Sequence, residues 1–181
     1  MSYPVTIGID PGVSGAIAVL CDGDLLRLED MPVAIVGKTR KHRDIMEGQL
    51  AQILRPHPGA TVWLEAVHSM PGQGVSSSFL FGACYGACKG VAAGLGLRVE
   101  LVRPQTWKKS FGLIGTDKDA ARAVASNLYP GASLARKKDI GRADAILIAH
   151  FGVHHGVRTE HLPRIPDSPE DALDDDLAFY V

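Results

Sequence analysis

Three short apolar runs crowd the first thirty residues, Val5–Asp10, 16–20 and 25–29, with only the turn residues Gly12 to Gly15 and Asp22-Gly23 between them. Parallel neighbours require a crossover of about a dozen residues or more, whereas antiparallel strands can be joined by two. The chain therefore has to begin as an antiparallel meander. After it the pattern changes. Residues 38–55 read as a basic loop running into an amphipathic helix with Ile45, Leu50, Ile53 and Leu54 on its apolar side, ending before Pro56. A strand is expected over 61–67, a Gly/Ser/Pro loop over 69–78, a long apolar helix to about Gly96, and a strand over Arg98–Val102. Pro104 opens a short helix through Lys109, residues 117–128 form a helix stopped by Pro130-Gly131, and a last helix covers 141–155. Three antiparallel strands followed by strand–helix alternation predict an α/β fold with a mixed five-stranded sheet flanked by helices.

At 181 residues, 46% hydrophobic and 22% charged, the chain has the size and composition of one globular domain, expected over residues 1–160. An acidic tail, 161–181, follows. Residues 167–181 hold six acids and no Lys or Arg, which leaves 14 acids against 19 bases in the rest. A basic body beneath a net charge of -1 permits a polyanionic partner without requiring one. Cys21, Cys84 and Cys88 match neither a disulfide framework nor a zinc signature and read as packing residues in a reducing compartment. The start MSYPVTIGIDPG has no basic segment followed by an apolar one, so a cytoplasmic chain is expected. Residues 79–97 approach the length of a membrane span, but they are Gly- and Ala-rich and carry Lys89 near the middle. A central lysine costs roughly 2.5–3.5 kcal/mol on insertion, so a buried helix and no membrane partner are expected.

Three acids stand in apolar surroundings: Asp10 at the end of VTIGID, Glu65 in TVWLE, and Asp144 early in the last helix. A buried carboxylate without a partner is costly. One hard divalent ion satisfies several at once, and two such ions a few Å apart can orient water and stabilise the leaving oxygen in phosphodiester hydrolysis. The alternative is that each acid is paired separately with a base or caps a helix.

The segments GIDPG (8–12), WLEAV (63–67) and DIGRADAILIA (139–149) resemble, in order and spacing, the RuvC-type Holliday junction resolvases of the RNase H-like superfamily, especially their shorter bacteriophage versions. The resemblance covers about residues 4–155. It implies an RNase H-like fold and a metal-dependent endonuclease acting as a homodimer on four-way DNA junctions. Asp10, Glu65 and Asp144 would be ligands of two Mg²⁺ ions, with Mn²⁺ as a substitute. Each protomer would nick one of two opposed strands, leaving 5′-phosphate and 3′-hydroxyl ends, in the cytoplasm of a bacterial host.

The resemblance breaks at one position. Resolvases of this type carry an acid or histidine one turn before the last aspartate, where this chain has Gly141. Asp139 is the candidate replacement ligand, reaching in from the preceding loop; its other role is helix N-cap. Lys108 and Lys118 sit at or beside positions where the family places lysines near the scissile strand, with Lys109 adjacent, and a lysine there offsets developing negative charge. His68 and Met70 occupy the loop whose apolar or aromatic residue enters the junction in the family. Arg136, Lys137 and Lys138, with Lys41 and Arg43, are candidates for phosphate contact. Gly82, Gly86, Gly90 and Gly94 form a smooth stripe, suited either to packing within the protomer or to a two-fold dimer interface. His150 and His154 point away from Asp144 on the helix and read as surface or DNA-facing residues. The tail from Leu173 to Tyr180 looks like a docking peptide for another protein. The rivals to a resolvase are a less selective branched-DNA nuclease and a non-catalytic junction-binding protein.

Overall fold

The computed structural model describes residues 4–37, 41–66 and 74–156. Its centre is a five-stranded sheet in the order β3-β2-β1-β6-β7, built from β1 (Val5–Asp10), β2 (Ala16–Cys21), β3 (Asp24–Asp30), β6 (Thr61–Glu65) and β7 (Arg98–Val102). The meander is antiparallel: Val5 pairs with Cys21 and Asp10 with Ala16, and Ala16 in turn with Asp30. Asp22 (φ 53°) and Gly23 (φ 86°) are both left-handed, as a two-residue type I′ hairpin requires. The later strands join in parallel, β6 beside β1 and β7 beside β6. This is the mixed sheet that the turn spacing demands, with β6 ending at Glu65, two residues earlier than expected.

Strand alternation divides the interior in two. Ile7, Ile9, Ile17, Val19, Val62 and Leu64 face a core closed by α1 (Glu47–Leu54) and α2 (Val75–Gly94). Ala16, Ala18, Leu20, Trp63 and Val102 face a second core under α3 (Pro104–Ser110), α4 (Lys118–Leu128) and α5 (Ile140–His155). The small residues of β1 and β2 on this face let α5 lie close. A Cβ at Gly8 would strike the Ala145 carbonyl and the Ala149 backbone nitrogen. Helix α4 is capped by Asp117, whose side chain accepts from the Asp119 and Ala120 amides.

Two features depart from the sequence-based expectations. Strands β4 (Val33–Val36) and β5 (His42–Ile45) pair as an antiparallel hairpin in the register Val33↔Ile45, and β5 lies within the 38–55 stretch expected as a basic loop running into a helix. Strand β5 reads HRDI with only Ile45 buried, so no apolar alternation announces it. It is fixed by backbone bonds at its base, Met31 N–H to Gly15 O and Met46 N–H to Pro32 O. Helix α2 is not buried all round. Cys84, Cys88 and Ala92 face the core, while Gly82, Gly86, Gly90 and Gly94 lie on an exposed face where, among the described residues, nothing lies within 4 Å of an added Cβ. Among the described residues no helix is long and apolar enough to cross a membrane.

Candidate active site

The registers Gly8↔Trp63 and Ile9↔Leu64 carry β1 and β6 side by side to the same edge, where they end on Asp10 and Glu65. Both acids follow the alternation of the α5-facing residues, Gly8 on one strand and Trp63 on the other. Asp144, in the second turn of α5, comes down on the same edge, and Val102 opposite Glu65 leads directly into α3. Ligands and substrates of open α/β sheets gather at such carboxyl ends of parallel strands. The chain thus folds three of its predicted acids into one cluster, each half-buried: ringed by protein yet within reach of solvent.

Their electrostatics record the crowding. Burial, followed by the charges of Asp144 and Glu65, holds the Asp10 carboxyl well above the usual carboxylate range. Burial pushes Asp144 up to about 7, with Lys108 opposing and Glu65 adding to the rise. Glu65 is raised by burial and drawn back by a hydrogen bond from Trp107 and by Lys108. Among the described residues Lys108 is the cation that acts on all three acids. Its Nζ lies 5.1 Å from the centre of the Trp107 ring. Trp107 itself is fully buried, and its Nε1–H donates to Glu65 Oε1 at 2.9 Å. Nothing in the sequence around Trp107 announces this role except its place three residues into a Pro-opened helix that follows the strand paired with β6. Cys84 and Cys88 are buried on α2 in the core of the opposite sheet face.

Three carboxylates against one lysine leave a negative excess that a divalent cation would neutralise. Among the described residues no three His, Cys, Asp or Glu side chains already converge on one point as a closed metal site. The donor set is nonetheless that of a hard cation: oxygen ligands only, on three rigid elements.

Asp139 stands apart from these acids. It is buried and doubly held by Arg136, whose Nη2–H and Nε–H donate to Oδ1 at 2.7 and 2.9 Å, while the Arg136 backbone N–H donates to Oδ2 at 2.8 Å. The Arg136 guanidinium accordingly holds the Asp139 carboxyl below the usual range. The position of the family's fourth ligand has no room for any side chain. A Cβ on Gly141 would lie 2.5 Å from Ser14 O, 3.0 Å from Gly15 Cα and 3.1 Å from Asp10 Oδ2.

The other predicted residues divide by location. Lys138 lines a pocket with Arg136 and Asp139, Lys137 is exposed on the 3₁₀ turn Lys137–Asp139, and Lys109 lines a groove with Phe151 and His155. Lys118 opens α4, but its side chain lies outside the described residues, as do His68, Met70 and the acidic tail. His150 is engaged on the far side of α5, its Nδ1 2.8 Å from the Tyr129 hydroxyl.

No family model matches the chain. It is 34% identical over 120 residues to the chloroplastic Holliday junction resolvase MOC1 of Chlamydomonas reinhardtii, a match covering 61% of this chain but only 14% of that protein's length. Among solved structures it is similar to Thermus thermophilus RuvC, with a TM-score of 0.53 at 16% identity, covering 83% of this chain and 94% of that one. A second structure, T. thermophilus RuvC in complex with a Holliday junction substrate, gives a TM-score of 0.55 at 15% identity, covering 84% and 94%. The sheet order, the flanking helices and these matches together establish that this chain has the RNase H-like fold seen in RuvC.

Proposed function

We propose that the chain is a metal-dependent endonuclease that resolves four-way DNA junctions by paired nicks. The observation that carries this reading is the convergence of Asp10, Glu65 and Asp144 at one sheet edge with Lys108 among them. The likeness to MOC1 and to RuvC with its junction supports the choice of substrate. Asp10, Glu65 and Asp144 would hold two Mg²⁺ ions, with Mn²⁺ able to replace them. Bound there, the metal supplies Lewis acidity to the scissile phosphate and lowers the pKa of water. The protein's own part is positional. Strand β1, strand β6 and α5 fix the three carboxylates before substrate arrives, and Trp107 orients Glu65 through its indole N–H. Lys108 places a positive charge where negative charge accumulates on the phosphate in the transition state. Lys118, Lys109 and Lys137, with His68 and Met70 between Glu65 and α2 in the sequence, are assigned to holding the strands around the cut.

Paired cuts require two such sites. The exposed glycine face of α2, flanked by Phe79 (75% exposed) and Val75 (87%), is the surface assigned to a second copy of the chain.

The test is cleavage of an end-labelled synthetic four-way junction, with and without Mg²⁺, beside a linear duplex of the same sequence. Symmetric nicks confined to the junction are expected, and Asp10→Asn should abolish them, a loss of at least about 10³-fold, while junction binding survives. Equal cutting of both substrates would make it a general nuclease. Binding without cleavage in Mg²⁺ or Mn²⁺ would make it a junction-binding protein.

A further inference from the structure

A second feature lies on the other side of the β1–β2 turn from the carboxylates. The β4–β5 hairpin, the turn and the segment leading into α5 enclose a cavity of about 230 Å³. Three cations line it, Arg43, Arg136 and Lys138, against two acids, Asp30 and Asp139. Both acids are already committed: Asp139 to Arg136 at 2.7 Å, and Asp30 to Arg142 at 2.5 Å. Arg43 and Lys138 pair with no carboxylate among the described residues. Arg43 is nevertheless held in place, its Nη1–H donating to Val13 O at 3.0 Å and Nη2–H to Ser14 Oγ at 2.8 Å. The result is a fixed guanidinium, a second guanidinium braced by a buried aspartate, and an ammonium with no ion pair among the described residues, around one solvent-facing hollow. Charged forks of this kind match the oxygens of a phosphate.

The cavity and the carboxylate cluster share a wall. Gly15 N–H closes the turn onto Gly12 O at 2.9 Å, Asp10 stands at its base, and Gly141 packs against Ser14 O and Asp10 Oδ2. Because Asp139 is the N-cap of the helix that carries Asp144, an anion seated beside Asp139 has a fixed relation to a phosphate seated beside Asp144.

We infer that this cavity is a second phosphate seat, which holds a backbone phosphate of the DNA strand a short distance from the one being cut. Lys138 and Arg43 are its contacts, and Asp139 is a positioning residue that fixes Arg136. The inference rests on the reading that the chain acts on DNA, and it assigns Asp139 to the seat instead of the metal centre.

The experiment measures junction affinity against salt in the absence of divalent metal, for the full chain and for Lys138→Ala. That variant removes a side chain with no hydrogen bond or ion pair among the described residues, so it leaves the packing intact. Each lost phosphate contact lowers the log–log salt slope by about 0.9, so affinity should fall roughly tenfold at 0.1 M salt. A scan with neutral methylphosphonate links along the cleaved strand should then find one position, away from the scissile bond, that weakens the unaltered chain but not Lys138→Ala. Asp139→Asn should lose affinity with the same position-specific signature while the Mg²⁺ concentration for half-maximal cleavage stays unchanged. An unchanged salt slope, or identical methylphosphonate profiles, overturns the proposal. A rise in melting temperature with inorganic phosphate that Lys138→Ala abolishes, found together with an unchanged salt slope, would point to a small phosphate ligand in place of DNA and likewise overturns it. If the unaltered chain binds no branched DNA at all, it is the functional reading that fails, and the two failures are distinguishable.

Discussion

Asp144 holds its negative charge against its surroundings. An aspartate in an unfolded chain loses its proton near the ordinary value of 3.8, whereas burial holds the folded one to about 7. A group raised on folding contributes stability below its unfolded pKa and loses that contribution as pH climbs to the folded value, so the loss runs from about 4 to about 7. Asp10 and Glu65 are raised too and act in the same direction. His57 and His150, whose pKa values are lowered by burial, pull the other way as pH falls. Comparison with Asp144→Asn cancels the histidines. Without divalent metal, Asp144→Asn should be more stable than the unaltered chain at pH 8 by about 1–2 kcal/mol, allowing for the solvent that reaches the group, and the gap should close toward pH 4. That corresponds to a melting temperature higher by roughly 2–8 °C. Mg²⁺ should raise the melting temperature of the unaltered chain more at pH 8 than at pH 5, and that of Asp144→Asn little at either. Scanning calorimetry at both pH values decides it; an asparagine variant less stable at pH 8 would mean that the carboxylate is a net stabiliser already paired within the fold. Asp10 and Glu65 were legible in the sequence because carboxylates are conspicuous inside apolar strands, and Asp144 because it stands early in the last helix, within DIGRADAILIA. Asp139 was legible only as an acid near the site: its engagement with Arg136 depends on a 3₁₀ turn that brings residues 136 and 139 together, and a sequence does not display such a turn.

Helix α2 turns a packing question into a measurable sign. Glycine inside a helix costs about 1 kcal/mol relative to alanine, and four of them at every fourth position should not persist on a free surface without a use. Among the described residues they have none, since a Cβ at Gly82, Gly86, Gly90 or Gly94 meets nothing within 4 Å there. For an isolated protomer, then, Gly86→Ala and Gly90→Ala should each stabilise the fold by roughly 0.5–1 kcal/mol. For a helix packed closely on its copy, the same methyl groups should weaken self-association. The paired measurement is melting temperature at low protein concentration together with sedimentation equilibrium. Higher stability with a weaker dimer is expected; higher stability with unchanged association would remove α2 from the interface. The periodicity of the glycines was visible in the sequence, but not which surface they faced, because a small residue suits a buried contact and an open face equally well. The β4–β5 hairpin was hidden for a different reason. Its second strand exposes His42, Arg43 and Asp44, and what holds it, the Met31–Gly15 and Met46–Pro32 backbone bonds and Arg43 reaching Val13 and Ser14 some thirty residues away, has no local periodicity.

Across the whole molecule, charge is divided by position along the chain, and that division has a kinetic consequence. The segment 167–181 contributes six acids and no Lys or Arg, while the preceding residues hold 19 bases against 14 acids. Exposed charges act over about 10 Å at 0.1 M salt, so an acidic segment tethered to the basic body competes with a polyanion during its approach. A chain ending at residue 160 should therefore associate with a four-way junction roughly two- to tenfold faster at 50 mM salt, and the advantage should vanish by about 0.5 M as screening shortens the range. The dissociation rate should change less, because the carboxylate cluster, Lys108 and the cavity beside the β1–β2 turn are built entirely from residues before 156. Stopped-flow association against salt distinguishes the cases. A rate increase that disappears with salt marks the tail as an electrostatic competitor. An unchanged rate would free the six acids for a different partner. A slower rate would mean that residues 161–181 take part in holding the DNA, which would overturn the division of the chain into a binding body and an acidic tail.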